Sequence, residues 1–116
     1  MRKIFFALAL AIAGLVTFTP SAVAKDVWID QVESFDWYIA DDTIKGGTTA
    51  GGRWVTVTTK EAIGGRLNRT ITWKFEEARG DWRYQTDKMD SRITSRVIAN
   101  STSGKILAYC LRYLNM

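Results

Sequence analysis

Apolar and polar side chains alternate with a period of two across residues 67–85, the signature of extended chain with one apolar face. Leu67, Ile71, Trp73 and Phe75 fall on one side, and Asn68, Thr70, Thr72, Lys74 and Glu76 on the other, with only Arg69 out of phase. Residues 77–81, Glu-Ala-Arg-Gly-Asp, supply turn chemistry, after which Trp82 and Tyr84 alternate with Asp81, Arg83 and Gln85 in a return strand. A two-residue turn at Arg79 and Gly80 sets Phe75 opposite Tyr84 and Glu76 opposite Arg83. The first pair is aromatic and the second of opposite charge, each contributing about 0.2–1 kcal/mol. Both faces of this central hairpin therefore agree on one register.

The same reading places further elements on either side. Residues 26–31 alternate Val27 and Ile29 against Trp28 and Asp30, a short first strand, and residues 33–36 turn the chain back into a second strand at residues 36–40. Asp41, Asp42 and Thr43 end it, because their side chains bond nearby backbone N–H groups and favour turns. Residues 45–52 hold four of the nine glycines and no large apolar side chain, which predicts a mobile loop. Residues 53–60, rich in β-branched side chains, form a strand. The turn around Gly64 and Gly65 then joins it to the central hairpin as an antiparallel meander. A two-residue turn there puts Trp54 opposite Phe75 on the aromatic face. A bulge or one extra loop residue exchanges the faces. We take the first arrangement as the expectation.

Residues 93–98 read as a strand or extended connection. Asn100, Ser101, Thr102 and Ser103 are good helix N-caps, and Ile106, Leu107, Cys110, Tyr113 and Leu114 then recur at helical spacing over residues 105–114. The expected fold is α+β: a small antiparallel β-sheet of about five strands in a meander, covered on one face by a C-terminal helix.

The first 24 residues change the picture. Met1-Arg2-Lys3 is positive, the 13 residues from Ile4 to Val16 are apolar, and Ala22-Val23-Ala24 is a small-residue cleavage signal. This is the pattern of a secretory signal peptide over residues 1–24, too short in its apolar run for a membrane span of roughly 20 residues. The reading leaves one domain, residues 25–116, in a periplasmic or secreted location, with membrane contact only through the leader before cleavage. Arg2 and Lys3 leave with it. The 16 basic residues fall to 14 against 12 acidic ones, a net charge of +2 with signs interspersed. No polybasic stripe remains, which argues against a nucleic-acid partner. Cys110 is the single cysteine, so no internal disulfide forms. It is expected to pack as a small buried hydrophobe, the alternative being an exposed thiol in an intermolecular disulfide.

The chain contains no histidine. That removes the commonest general base and zinc ligand, and with one cysteine it excludes thiolate metal sites and Ser-His-Asp or Cys-His nucleophiles. The glycine pairs lack phosphate-loop spacing, and no cofactor or metal is implied. Carboxylate chemistry is what remains for an enzyme. Asp41 with Asp42, Glu76 with Glu77, and Asp87 with Asp90 are the candidates, and each reads more simply as a turn, a strand alternation or a solvated segment.

The five tryptophans are the remaining lead. Trp73 and Trp82 belong to the core face by alternation, whereas Trp37 and Tyr38 are neighbours and must point to opposite sides of a strand. Trp37, Tyr38 and Trp54 form the candidate binding surface. The leader, Val27-Trp28, Asp36-Trp37-Tyr38-Ile39 running into Asp42-Thr43-Ile44, Trp54-Val55-Thr56-Val57, Gly80-Asp81-Trp82-Arg83-Tyr84 and residues 106–114 resemble a group of small exported bacterial proteins of uncharacterised role. More distantly they are similar to the surface-adhesin protein E family. That resemblance implies an exported, envelope-associated binding or structural role, and no catalytic residue. The expected function is thus a non-enzymatic module presenting one sheet face, or the glycine-rich segment, to an envelope or extracellular macromolecule, a protein ahead of a carbohydrate. A second copy of the chain is an open partner. The alternative is a carbohydrate or cell-wall binder stacking sugars on Trp37 or Tyr38 with Trp54. A carboxylate-based envelope hydrolase comes third.

Overall fold

A computed structural model describes residues 25–116; the expected signal peptide, residues 1–24, lies outside the described residues. Six strands follow in chain order, β1 (Asp26–Val32), β2 (Phe35–Thr49), β3 (Gly52–Ile63), β4 (Arg66–Ala78), β5 (Asp81–Thr86) and β6 (Ser95–Arg96), and then one helix, α1 (Thr102–Leu114). The strands pair only with their sequence neighbours, so the sheet is an antiparallel meander in the order β1-β2-β3-β4-β5-β6. The expected five strands become six because part of the 93–98 stretch pairs with β5, Arg96 with Arg83 and Ser95 with Tyr84.

The central hairpin has the expected register, with Phe75 opposite Tyr84 and Glu76 opposite Arg83. The β3–β4 hairpin does not. Gly64 and Gly65 do form a two-residue turn, with Ile63 opposite Arg66 and Ala62 opposite Leu67, but the register then shifts and Glu61 faces Arg69. Asn68 is the extra residue. Its amide donates to Glu61 Oε1 at 2.9 Å, as does Arg69 Nε at the same distance. This bulge exchanges the faces of everything beyond it. Val55 stands opposite Phe75 and Val57 opposite Trp73, Trp54 faces Glu76 on the other side, and Leu67 is left 62% exposed instead of sharing the aromatic face. Arg69 breaks the alternation because it stands opposite the buried Glu61 and pairs with its carboxylate at 2.9 Å.

β2 runs through the segments expected as a turn and a mobile loop. Between Ala40 opposite Thr58 and Lys45 opposite Thr56 the register shifts by a wide irregularity. Thr43 fills it: its hydroxyl donates to Ala40 O at 2.6 Å and accepts from Thr58 N at 2.8 Å, replacing a lost rung of the ladder. Ile44 is thereby turned into the core. Gly46 and Gly47 are strand residues paired with Val55 and Trp54. Glycine is needed there for room. A Cβ on Gly46 would lie 2.6 Å from Leu114 Cδ1 and 2.9 Å from Trp54 O, and one on Gly47 would lie 2.9 Å from Trp54 Nε1. The turn that remains is Ala50-Gly51, before Gly52 at φ +139°.

A single buried cluster joins Ile39, Ile44, Val55, Val57, Ile71, Trp73 and Phe75 of the sheet to Ile106, Leu107 and Cys110 of α1. Ser101 caps the helix, its hydroxyl accepting from Gly104 N, and Asn115 in the left-handed region closes the other end with its N–H directed at Arg112 O and Leu111 O. Tyr113, expected in the apolar stripe, is 50% exposed. Among the described residues no helix is long and apolar enough to cross a membrane.

Candidate functional site

The three candidate aromatics do not converge. Trp37 lies on the core face, level with Asp30 and Glu61 on its neighbouring strands. Its ring meets Trp73 edge-on, with centroids 6.3 Å apart and planes at 69°. Its indole Nε1 is buried and lacks a hydrogen-bond partner among the described residues. With Trp73, Tyr84, Arg96, Ile98 and Ser103 it lines a recess of about 290 Å³ beside the N-terminus of α1. Tyr38 points the other way. It is level with Trp28 on β1 and Lys60 on β3, and it lines a recess of about 210 Å³ with Asp26, Lys60, Ala62 and Leu67.

Trp54 is on the same second face as Tyr38 but at the far end of β3, its indole laid over Gly47. Tyr38 is level with Lys60, six residues from Trp54, so the two rings sit about 20 Å apart at roughly 3.3 Å per residue. They cannot stack on one sugar ring together. The floor between them is built of Thr56 and Thr58 on β3 and Thr70 and Thr72 on β4, with Thr58 directly opposite Thr72.

Trp28 is the aromatic that sequence reasoning placed but did not select. A bulge at Ile29 shifts the β1 register between Trp28 and Asp30. The bulge turns both Ile29 and Asp30 toward the core side and leaves Trp28 on the second face, 54% exposed. The indole is held: Nε1 donates to Asp36 Oδ1 at 3.0 Å. Lys60 Nζ lies 3.1 Å from Asp26 Oδ2 on the same face. One end of the second face therefore carries Trp28, Tyr38, Ala62 and Leu67 in adjacent rows with Lys60 and Asp26 among them, and exposed Val32 and Ile63 lie at the neighbouring turns. The alternation around Trp28 was the available signal for this cluster. The exposure of Leu67 was not legible without the bulge.

The charged groups of the core face serve the fold. Asp30 accepts from Thr102 Oγ1 at 2.7 Å and Lys105 Nζ at 3.0 Å, tying β1 to the first turn of α1. The Thr102 hydrogen bond first, with help from Lys105 and Gln31, holds its carboxyl below the ordinary range against the opposing effect of burial. Arg53 forms a two-pronged pair with Glu77, 2.9 and 2.8 Å, and lies 5.2 Å above the Trp82 ring. The Arg53 hydrogen bonds lower the Glu77 pKa. Glu76, by contrast, is on the second face 3.6 Å from Lys74, so this carboxylate pair is split across the sheet. Asp87 accepts from Thr72 N at 3.1 Å, and Asp90 from the backbone and guanidinium of Arg92. Cys110 is fully buried, and burial pushes its thiol up to about 12. That overturns the alternative of an exposed cysteine in an intermolecular disulfide.

Compared with protein families, with curated proteins and with solved structures, the chain finds no match in any of the three.

Proposed function

We propose that the chain is an exported, envelope-associated binding module without catalytic function, and that it meets a protein partner through the Trp28, Tyr38 and Leu67 end of its second sheet face. In this reading α1 seals the core face, and the second face is left for recognition. The observation that carries the proposal is the pairing of a half-exposed, hydrogen-bonded indole with exposed aliphatic side chains on one patch. Rigid aromatic and aliphatic anchors inside a polar rim are the usual anatomy of a protein interface. The leader pattern supports export.

The test is capture from envelope extract by the purified protein, repeated with Trp28→Ala and Leu67→Glu. Both side chains are exposed, so the two variants should keep the parent melting temperature and each should lose at least tenfold in affinity for the captured partner. Unchanged capture by both would remove this patch from the reading. A carbohydrate polymer is the second reading, favoured by the threonine floor that separates Tyr38 from Trp54. It predicts retention on cell-wall polymer that Trp54→Ala abolishes and Leu67→Glu does not.

A further inference from the structure

The start of the described chain carries a contact that ordinary strand pairing does not require. Lys25 N donates to the carboxylate of Asp41 at 2.9 Å, and Asp41 N returns a hydrogen bond to Lys25 O at 3.0 Å. These bonds extend the β1–β2 ladder one step beyond its last pair, Asp26 with Ala40, to the point where the β2 irregularity begins. Asp41 is half-buried there.

Lys25 is also the residue that cleavage after Ala24 would make the first of the mature chain. We infer that Asp41 is the receptor for the amino terminus created by that cleavage, an inference that rests on the export reading above. Hydrolysis of the Ala24–Lys25 amide by a leader peptidase consumes one water. Ala24 departs with a carboxylate, and the nitrogen of Lys25 changes from a single neutral N–H donor to an ammonium with three. A positive charge is thus produced 2.9 Å from a carboxylate oxygen that already faces it. A neutral hydrogen bond becomes a charge-assisted one, which is shorter and about twice as strong.

The arrangement also discriminates between cleavage positions. Processing one residue earlier or later moves the ammonium by about 3.8 Å along the chain, out of hydrogen-bond reach of Asp41. The other ionisable group that faces the carboxylate from α1 is Tyr109, and along the chain stand the side chains of Lys25, Asp26 and Asp42. Arg112 lies 5.8 Å over the Tyr109 ring, and the Tyr109 hydroxyl, raised first by burial and then by the Asp41 charge, stays neutral at working pH.

The experiment uses the full chain, expressed with its leader and recovered from the exported fraction. Intact mass should give a terminus at Lys25; a retained leader or another terminus would overturn the export reading whatever Asp41 does. On the product beginning at Lys25, the α-amino group is reductively methylated with a carbon-13 label and its titration followed by NMR. The expected result is a midpoint above the ordinary 7.7–8.0 range, with a proton affinity about tenfold higher than in Asp41→Asn. The Asp41→Asn protein should also melt about 3 °C lower. Asp41→Ser, which keeps an acceptor but no charge, should titrate like Asp41→Asn. Equal midpoints in the parent and both variants would overturn the capture while leaving export standing.

Discussion

At the scale of single residues, three positions test the packing most directly. Gly46 lies under Leu114 with the Trp54 carbonyl 2.9 Å from where a Cβ would stand. The leucine can swing away but the backbone oxygen cannot, so Gly46→Val should cost about 1–3 kcal/mol in a denaturant titration. Cys110, fully buried with its thiol pushed up to about 12, should not react with a thiol reagent in the native protein and should react once guanidinium unfolds it. Asp30 tests the link from β1 to α1. Its folded pKa is below the ordinary 3.8, so its contribution is complete above that value and is lost as the pH falls through the lower, folded value. Asp30→Asn should therefore lower stability by about 1–2 kcal/mol at pH 7 and by progressively less below pH 4. Paired urea titrations at pH 7 and pH 3 read the difference.

At the scale of elements, the helix is the sharpest case. Leu107 is buried among the sheet residues of the core, and Leu107→Asp should destabilise by more than about 3 kcal/mol because it strands an unpaired charge there. A thermal melt matching the parent would show that α1 is not held on the sheet. The helix was legible because its spacing and its Ser101 cap are local properties of the sequence. So was the Arg79-Gly80 hairpin, where two adjacent positions with φ of 56° and 81° form the turn and both faces agree on the register. The β3–β4 register was not, because Asn68 looks like any polar strand residue until Glu61 is seen to accept its amide. Nor was the length of β2. Asp41, Asp42 and Thr43 carry the chemistry of a chain reversal, and Thr43 uses it to bridge a gap within the strand. Gly46 and Gly47 likewise read as loop because the reason for them, the close approach of Leu114 and Trp54, is a tertiary one.

At the scale of the whole molecule, a meander with every strand beside its sequence neighbour leaves β1 as one outer edge of the sheet. The candidate surface inherits this plan: Trp37 faces the core and Tyr38 the second face, as their adjacency required, and the Asn68 bulge sets Trp54 opposite Glu76 instead of Phe75. What keeps Tyr38 and Trp54 from forming a shared platform is the β2–β3 register, which holds them six residues of β3 apart, and a register between strands is not a local property of the sequence, which is why the candidate site was less legible than the fold.

The irregularity at Ile29 has a colloidal consequence. A straight, unpaired outer strand would recruit further copies into fibrils. The kink at Ile29 bends that strand and commits Asp30 to the helix, so an incoming strand meets a broken row of donors and acceptors. Deleting Ile29 should straighten the row, and thioflavin fluorescence at high protein concentration should then grow with a shorter lag than in the parent.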